Sequence, residues 1–133
     1  MAGILRATNL TRGTVLCERL ENAGGLAGQS RGLLGREGLD PDAGMLFENG
    51  GPVPVMWMHM FFMKFAIDLV FLDREGKVLK IDRNLKPWRL SSAVFRARRA
   101  LELAAGAAER AATQDGDRII VEPANSLGLA SRK

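Results

Sequence analysis

Apolar and polar positions along this chain change places in short runs, which is the signature of strands more than of helices. The clearest run is Ile67-Asp68-Leu69-Val70-Phe71-Leu72. Asp73-Arg74-Glu75-Gly76 then turns the chain back along Val78, Leu79 and Ile81, so a β-hairpin is predicted at the centre. Ahead of it, Val53 to Phe62 predicts one long strand. Along a strand, Trp57, His59 and Phe61 share one face and Met58 and Met60 the other. Leu5 to Asn9 reads as a short opening strand, and Val15 to Glu21 alternates as a half-buried one.

Turns and loops account for the intervals. Gly24, Gly25, Gly28, Gly32, Gly35 and Gly38 crowd one passage, and each glycine inside a regular element would cost about 1 kcal/mol, so loops are expected there. Asp40-Pro41-Asp42-Ala43-Gly44 reads as a turn into Met45-Leu46-Phe47, and Glu48-Asn49-Gly50-Gly51-Pro52 turns the chain again. From Arg83 to Arg99 the chain carries Arg83, Lys86, Arg89, Arg96, Arg98 and Arg99 with no acid, and Pro87 argues against a helix. Ala93 to Ala112 is ambiguous: alanine and leucine favour a helix, and Gly106 interrupts it. Asp115-Gly116-Asp117 and Arg118 to Val121 read as a turn and a last strand, followed by a frayed tail over 124–133.

A chain of 133 residues, 47% hydrophobic and 26% charged, fits one folded domain with a core spanning about 11–121. The net charge of +4 is too modest to imply a nucleic-acid partner by itself. Cys17 is the one cysteine, so no intrachain disulfide is available, and it reads as a small core residue. The opening residues lack the apolar core of a signal peptide, and Val53 to Phe71 is broken by His59, Lys64 and Asp68. No membrane insertion and a cytoplasmic location are therefore expected.

Several patterns could carry chemistry, each with a plainer reading beside it. Gly28-Gln29-Ser30-Arg31-Gly32 spells a hydrolase nucleophile elbow, but the residues before it make a poor buried strand. A glycine-rich loop with an exposed serine is the better reading. Met58, Met60, Met63 and His59 are ligand types for Cu(I), yet one strand cannot turn them toward a common ion, and one His with one Cys is a weak zinc set. No cofactor or metal is expected. His59, flanked by methionines, is expected to be largely buried, either as a satisfied core imidazole or as a group lining a pocket. Asp68 would be the carboxylate that orients it, and Arg36, Arg31 or Lys64 would partner Asp68. The basic segment with Trp88 and Phe95 suits phosphate contacts and base stacking, or is a solvated basic loop.

Read together, these blocks resemble the prokaryotic family called domain of unknown function 192. His59-Met60-Phe61-Phe62-Met63-Lys64-Phe65-Ala66-Ile67-Asp68-Leu69-Val70-Phe71-Leu72-Asp73-Arg74-Glu75-Gly76 is similar to the family's core block. Thr11 to Leu16, Gly32 to Arg36 and Gly44 to Phe47 precede it in the family's order. Lys86 to Arg89, Ala100 to Leu103, Gly106 and Gly116 to Arg118 follow. Two departures are Gln29, where the family usually has arginine, and Ala66, where it usually has proline. The resemblance implies a mainly β fold, a β-sandwich or distorted barrel of jelly-roll character with one or two short helices. It also implies a strand over Arg98–Leu103 and a short helix over Ala107–Thr113, against local propensity. It brings no established activity.

The sequence therefore predicts a small β domain that binds a small molecule or a protein partner and is not an enzyme. Its expected pocket gathers His59, Asp68, Arg36 and Glu102, with Trp57 and Trp88 as apolar walls. The alternatives are a hydrolase using Ser30 or a His59/Asp68 pair, and a nucleic-acid accessory protein using the basic segment 83–99.

Overall fold

The computed structural model describes residues 3–24 and 36–124. The chain is mainly β, with 49% of the described residues in strands and 5% in helix. Among the described residues nine strands form: β1 (Leu5–Asn9), β2 (Thr14–Gly24), β3 (Ala43–Glu48), β4 (Val55–Met56), β5 (Ile67–Leu72), β6 (Val78–Leu85), β7 (Val94–Phe95), β8 (Arg99–Ala104) and β9 (Ile119–Pro123). One short helix, α1 (Ala107–Arg110), follows β8.

Seven strands make one sheet in the order β6-β5-β8-β3-β2-β1-β9, and β4 pairs with β7 in a separate ribbon. Every pairing in the large sheet is antiparallel except that of β2 with β3. The sheet curls until its two edges meet at one end. Lys77 bridges Arg118, Val78 N–H donates to the Asp117 carbonyl at 2.8 Å, and Ile119 N–H donates to the Gly76 carbonyl at 2.7 Å. Joining the edges at that end removes part of the exposed hydrogen-bonding rim that an open sheet would leave.

The sheet has an apolar core on each face. Inside the curl lie Leu16, Leu20, Leu46, Val70, Leu72, Val78, Leu101, Leu103 and Ile119, closed by Ala107 of α1 and by Ala111 just after it. On the opposite face Met45, Phe47, Ile67, Leu69, Phe71 and Ala100 pack under Met56, Met58, Met60, Met63, Val94 and Ala97. This explains why β5 is buried at every position. A central strand covered on both sides reads as a nearly continuous apolar run, and Asp68 alone interrupts it.

The strand at Arg99–Ala104 and the helix at Ala107–Arg110 agree with the family-based expectation to within a residue or two at the strand and at the start of the helix. Local propensity loses because β8 sits between β5 and β3 and donates to both. The expected long strand from Val53 to Phe62 is not formed. Only Val55–Met56 is strand, with a single further bridge at His59, and the chain turns at Phe61-Phe62. The basic segment is not one loop either: Arg83 belongs to β6 and Arg99 to β8.

Gly76 closes the β5–β6 turn at φ +86°, and a Cβ there would run into the Ile119 carbonyl that lies across the closed edge. Gly76→Ala is expected to lower unfolding free energy by about 2 kcal/mol or more, from the left-handed backbone and the clash together. Urea denaturation followed by circular dichroism measures it.

Candidate functional site

The methionine-lined core is roofed by an antiparallel ribbon made of residues 54–60 and 88–96. Val55 faces Phe95, Met56 faces Val94 and His59 faces Leu90. Between these pairs, Met60 N–H donates to the Arg89 carbonyl at 2.8 Å, Trp88 N–H to the Met60 carbonyl at 2.7 Å and Ser91 N–H to the Met58 carbonyl at 2.8 Å. At the far end Arg96 N–H donates to the Pro54 carbonyl. The ribbon's backbone is thus largely satisfied within itself. At its base the Asp82 carboxylate accepts from both the backbone N–H and the hydroxyl of Ser92, which ties the ribbon to β6.

Alternation then decides which side chains meet the core. Met56, Met58 and Met60 point inward and are buried, and Trp57, His59 and Phe61 point out and are exposed. The expectation that His59 is buried is corrected here. The two faces of this stretch are both apolar, and the more flexible methionines take the inside, where they fill the irregular gap above the sheet. The imidazole stacks on Phe61 with ring centroids 4.7 Å apart, and its Nδ1 accepts from the Phe61 N–H at 3.3 Å.

The outer surface of the ribbon is unusually apolar. Trp57 is 56% exposed, Phe62 67%, Trp88 58%, Leu90 57% and Phe95 63%, and Val53 and Phe61 are exposed beside them. Both tryptophans of the chain lie here. Phe62 and Trp88 pack edge against face at 4.7 Å from neighbouring turns, and both hold left-handed backbone, φ 67° each. A non-glycine residue in that region costs on the order of 1 kcal/mol, so the surrounding turns impose it. Between 53 and 67, and between 83 and 101, the chain carries no Asp or Glu. Lys86, Arg89, Arg96 and Arg98 are exposed in the same segments, and none of them joins an ion pair among the described residues. An open basin of about 650 Å³ adjoins the ribbon, lined by Asp82 and Arg83 of β6 and by Lys86, Arg89, Ser91 and Ser92 among others.

The residues expected to form a single pocket are spread over different surfaces. Asp68 lies on the face of β5 that looks into the curl, opposite Leu103, with Ile67 and Leu69 turned toward the ribbon side. Its carboxylate accepts from the backbone N–H groups of Asn84 at 2.9 Å, Gly106 at 3.1 Å and Ala108 at 3.0 Å. These amides, and not Arg36 or Lys64, are its partners. Lys64 pairs with Glu37 at 3.0 Å, and Arg36 is exposed. The sheet therefore stands between Asp68 and the ribbon that carries His59. Trp57 and Trp88 are outward-facing surface residues and not pocket walls. Ser30, with Gln29 and Arg31, lies outside the described residues.

Glu102 occupies the other face. Its register partners are Met45 and Leu69, so its side chain enters the methionine-lined core, where it is 7% exposed. Among the described residues no group donates to it, and burial pushes its pKa up from 4.5 to about 7. Cys17 is buried too, and burial pushes its thiol up to about 11, which leaves it a packing group without nucleophilic character at neutral pH. Among the described residues no cluster of three or more His, Cys, Asp or Glu is placed to hold a metal ion. No helix among them is long and apolar enough to cross a membrane.

A mainly β fold with an outward-facing aromatic ribbon and no assembled catalytic constellation among the described residues is the class of structure these observations define. The chain belongs to the DUF192 family, described as "Uncharacterized ACR", whose model matches residues 7–121. A UPF0127 protein of Pyrococcus horikoshii is 39% identical over 62 residues, covering 47% of this chain and 53% of that protein. The match thus spans about half the length of that relative. Two crystal structures share the fold. A protein of unknown function from Novosphingobium aromaticivorans is 24% identical with a TM-score of 0.74, covering 90% of this chain and 84% of that one. A protein of Sinorhizobium meliloti, provisionally named a transcription regulator, is 26% identical with a TM-score of 0.75, covering 91% and 94%.

Two substitutions test the buried carboxyls. Replacing Asp68 by Ala leaves three amides, that of Ala108 buried and two part-buried, without an acceptor and is expected to cost about 3 kcal/mol, measured by urea unfolding. For Glu102 the folded state holds its proton more tightly than the unfolded chain does. Its contribution to stability is therefore full below pH 4.5 and is lost as pH rises to about 7. The difference corresponds to roughly 3 kcal/mol. Glu102→Gln is expected to flatten stability across that window and to raise the thermal midpoint at pH 8.

Proposed function

We propose that this protein is a binding domain without catalysis of its own, and that its working surface is the outer face of the 54–60/88–96 ribbon. One observation carries the reading: Trp57, Phe61, Phe62, Trp88, Leu90 and Phe95 form an exposed apolar surface on one side of one element. Contiguous apolar surface of this kind, rimmed by charge, marks interaction sites in folded proteins. Of the residues expected in a pocket, His59, Trp57 and Trp88 belong to this surface. Asp68 and Glu102 belong to the sheet beneath it, and Arg36 is assigned no part in it. A single buried cysteine that needs no oxidising compartment supports a cytoplasmic location.

Both tryptophans report directly on this surface. The environment-sensitive dye bis-ANS is expected to bind the native protein and to receive energy transfer from Trp57 and Trp88. Phe62→Asn with Trp88→Asn keeps a residue type that tolerates left-handed backbone at both turns. The double variant is expected to weaken dye binding about tenfold, with an unchanged thermal midpoint. Dye binding as tight as that of the native chain sinks the reading.

A further inference from the structure

We infer that the ribbon docks on an anionic lipid bilayer, with its aromatic turns entering the interface and the adjoining basic basin receiving lipid phosphate. This inference rests on the ribbon being the working surface and names what that surface meets. The charge pattern comes first. Across 53–67 and 83–101 there is no carboxylate to offset Lys86, Arg89, Arg96 and Arg98, and the adjoining Asp82 is already engaged by Ser92, so an occupant of this face has to bring negative charge. A second copy of the chain cannot, because a two-fold contact would press the same cations together.

The geometry of the rings separates the remaining candidates. Base stacking needs free ring faces, whereas His59 and Phe61 cover each other at 4.7 Å, and Phe61 and Phe62 both lean on Trp88. At the tip of the ribbon two neighbouring turns, Phe61-Phe62 and Pro87-Trp88, present exposed apolar side chains, with Leu90 behind them and Trp57 and Phe95 exposed further along the same face. Tips of Trp and Phe above a cationic rim match the boundary between acyl chains and headgroups. The bonds donated by the amides of Met60, Trp88, Ser91 and Arg96 within the ribbon reduce the number of backbone groups that an approach to an apolar phase would strand. The basin of about 650 Å³ beside it offers Lys86 and Arg89 for the phosphates of the same leaflet.

Sedimentation of the full chain with vesicles of phosphatidylglycerol mixed with phosphatidylcholine tests the inference, with phosphatidylcholine alone as the control. Expected are binding to the anionic vesicles only, a blue shift of Trp57 and Trp88 emission, and weaker binding at physiological than at low salt. Phe62→Asn with Trp88→Asn, and separately Lys86→Gln with Arg89→Gln, are each expected to lower partitioning about tenfold or more, with the thermal midpoint retained. Absence of sedimentation with anionic vesicles, while bis-ANS still binds the native ribbon, overturns the lipid assignment and leaves the binding surface standing. Equal dye binding by the aromatic double variant overturns both. Binding of a fluorescent oligothymidylate that depends on Phe62 and Trp88, without vesicle binding, overturns the lipid assignment in favour of single-stranded nucleic acid.

Discussion

The carboxylate of Asp68 is the constraint on which the arrangement of this fold depends. A strand buried on both faces has no water to offer a charged group, so the group persists only if protein donors surround it. Asp68 meets that requirement with three backbone N–H groups from two distant places. Gly106 and Ala108 open α1, a helix too short to be stable in isolation, and their amides would otherwise be orphaned at its start. Asn84, at φ 51°, is the last residue but one of β6, the strand that leads into the basic arm of the ribbon. One side chain thereby fixes the plug of the inner core and the point from which the outer ribbon departs.

Glu102 has the opposite character, and the contrast comes from the sheet's two faces. Asp68 points toward backbone amides at an element boundary, and Glu102 points between Met45 and Leu69 into a core made of side chains that donate nothing. The same residue class is satisfied in one direction and protonated near neutrality in the other. The methionines matter here as well. Met45, Met56, Met58, Met60 and Met63 are long and flexible, and they fill the space between a curled sheet and a ribbon that follows a different curvature.

Much of the sheet was legible in the alternation of residues. Ile67–Leu72, the turn at Asp73–Gly76 and the return along Val78 carry period-two patterns and turn chemistry strong enough to define the hairpin. β8 was legible only through the family resemblance, because Ala100 to Ala104 has helical propensity and is held extended by strands on both sides. The ribbon was half legible. Alternation correctly separates Trp57, His59 and Phe61 from Met58 and Met60, but periodicity cannot say which of two apolar faces is covered. Nor could it reveal that Asp68 and Glu102 lie on opposite faces, since they come from different strands and their relative register is a tertiary fact. A signal was available for Asp68: a carboxylate inside a fully apolar run needs several donors, and a glycine-started helix has them to give.

The exposure of the ribbon's aromatics does not follow from the needs of the fold. Met56, Met58, Met60 and Val94 already seal the core from the inner side, and polar residues at 57, 62, 88 and 95 would leave that seal intact. Each large apolar side chain left in water forgoes about 1.5–3 kcal/mol that burial would contribute. The left-handed backbone at Phe62 and Trp88 adds strain that asparagine or glycine would relieve. Stability alone would therefore select a different surface here. The residues present make sense as a surface whose burial is completed by something outside the chain, held in position by a ribbon with its own cross-strand hydrogen bonds, methionine underside and Asp82 tether.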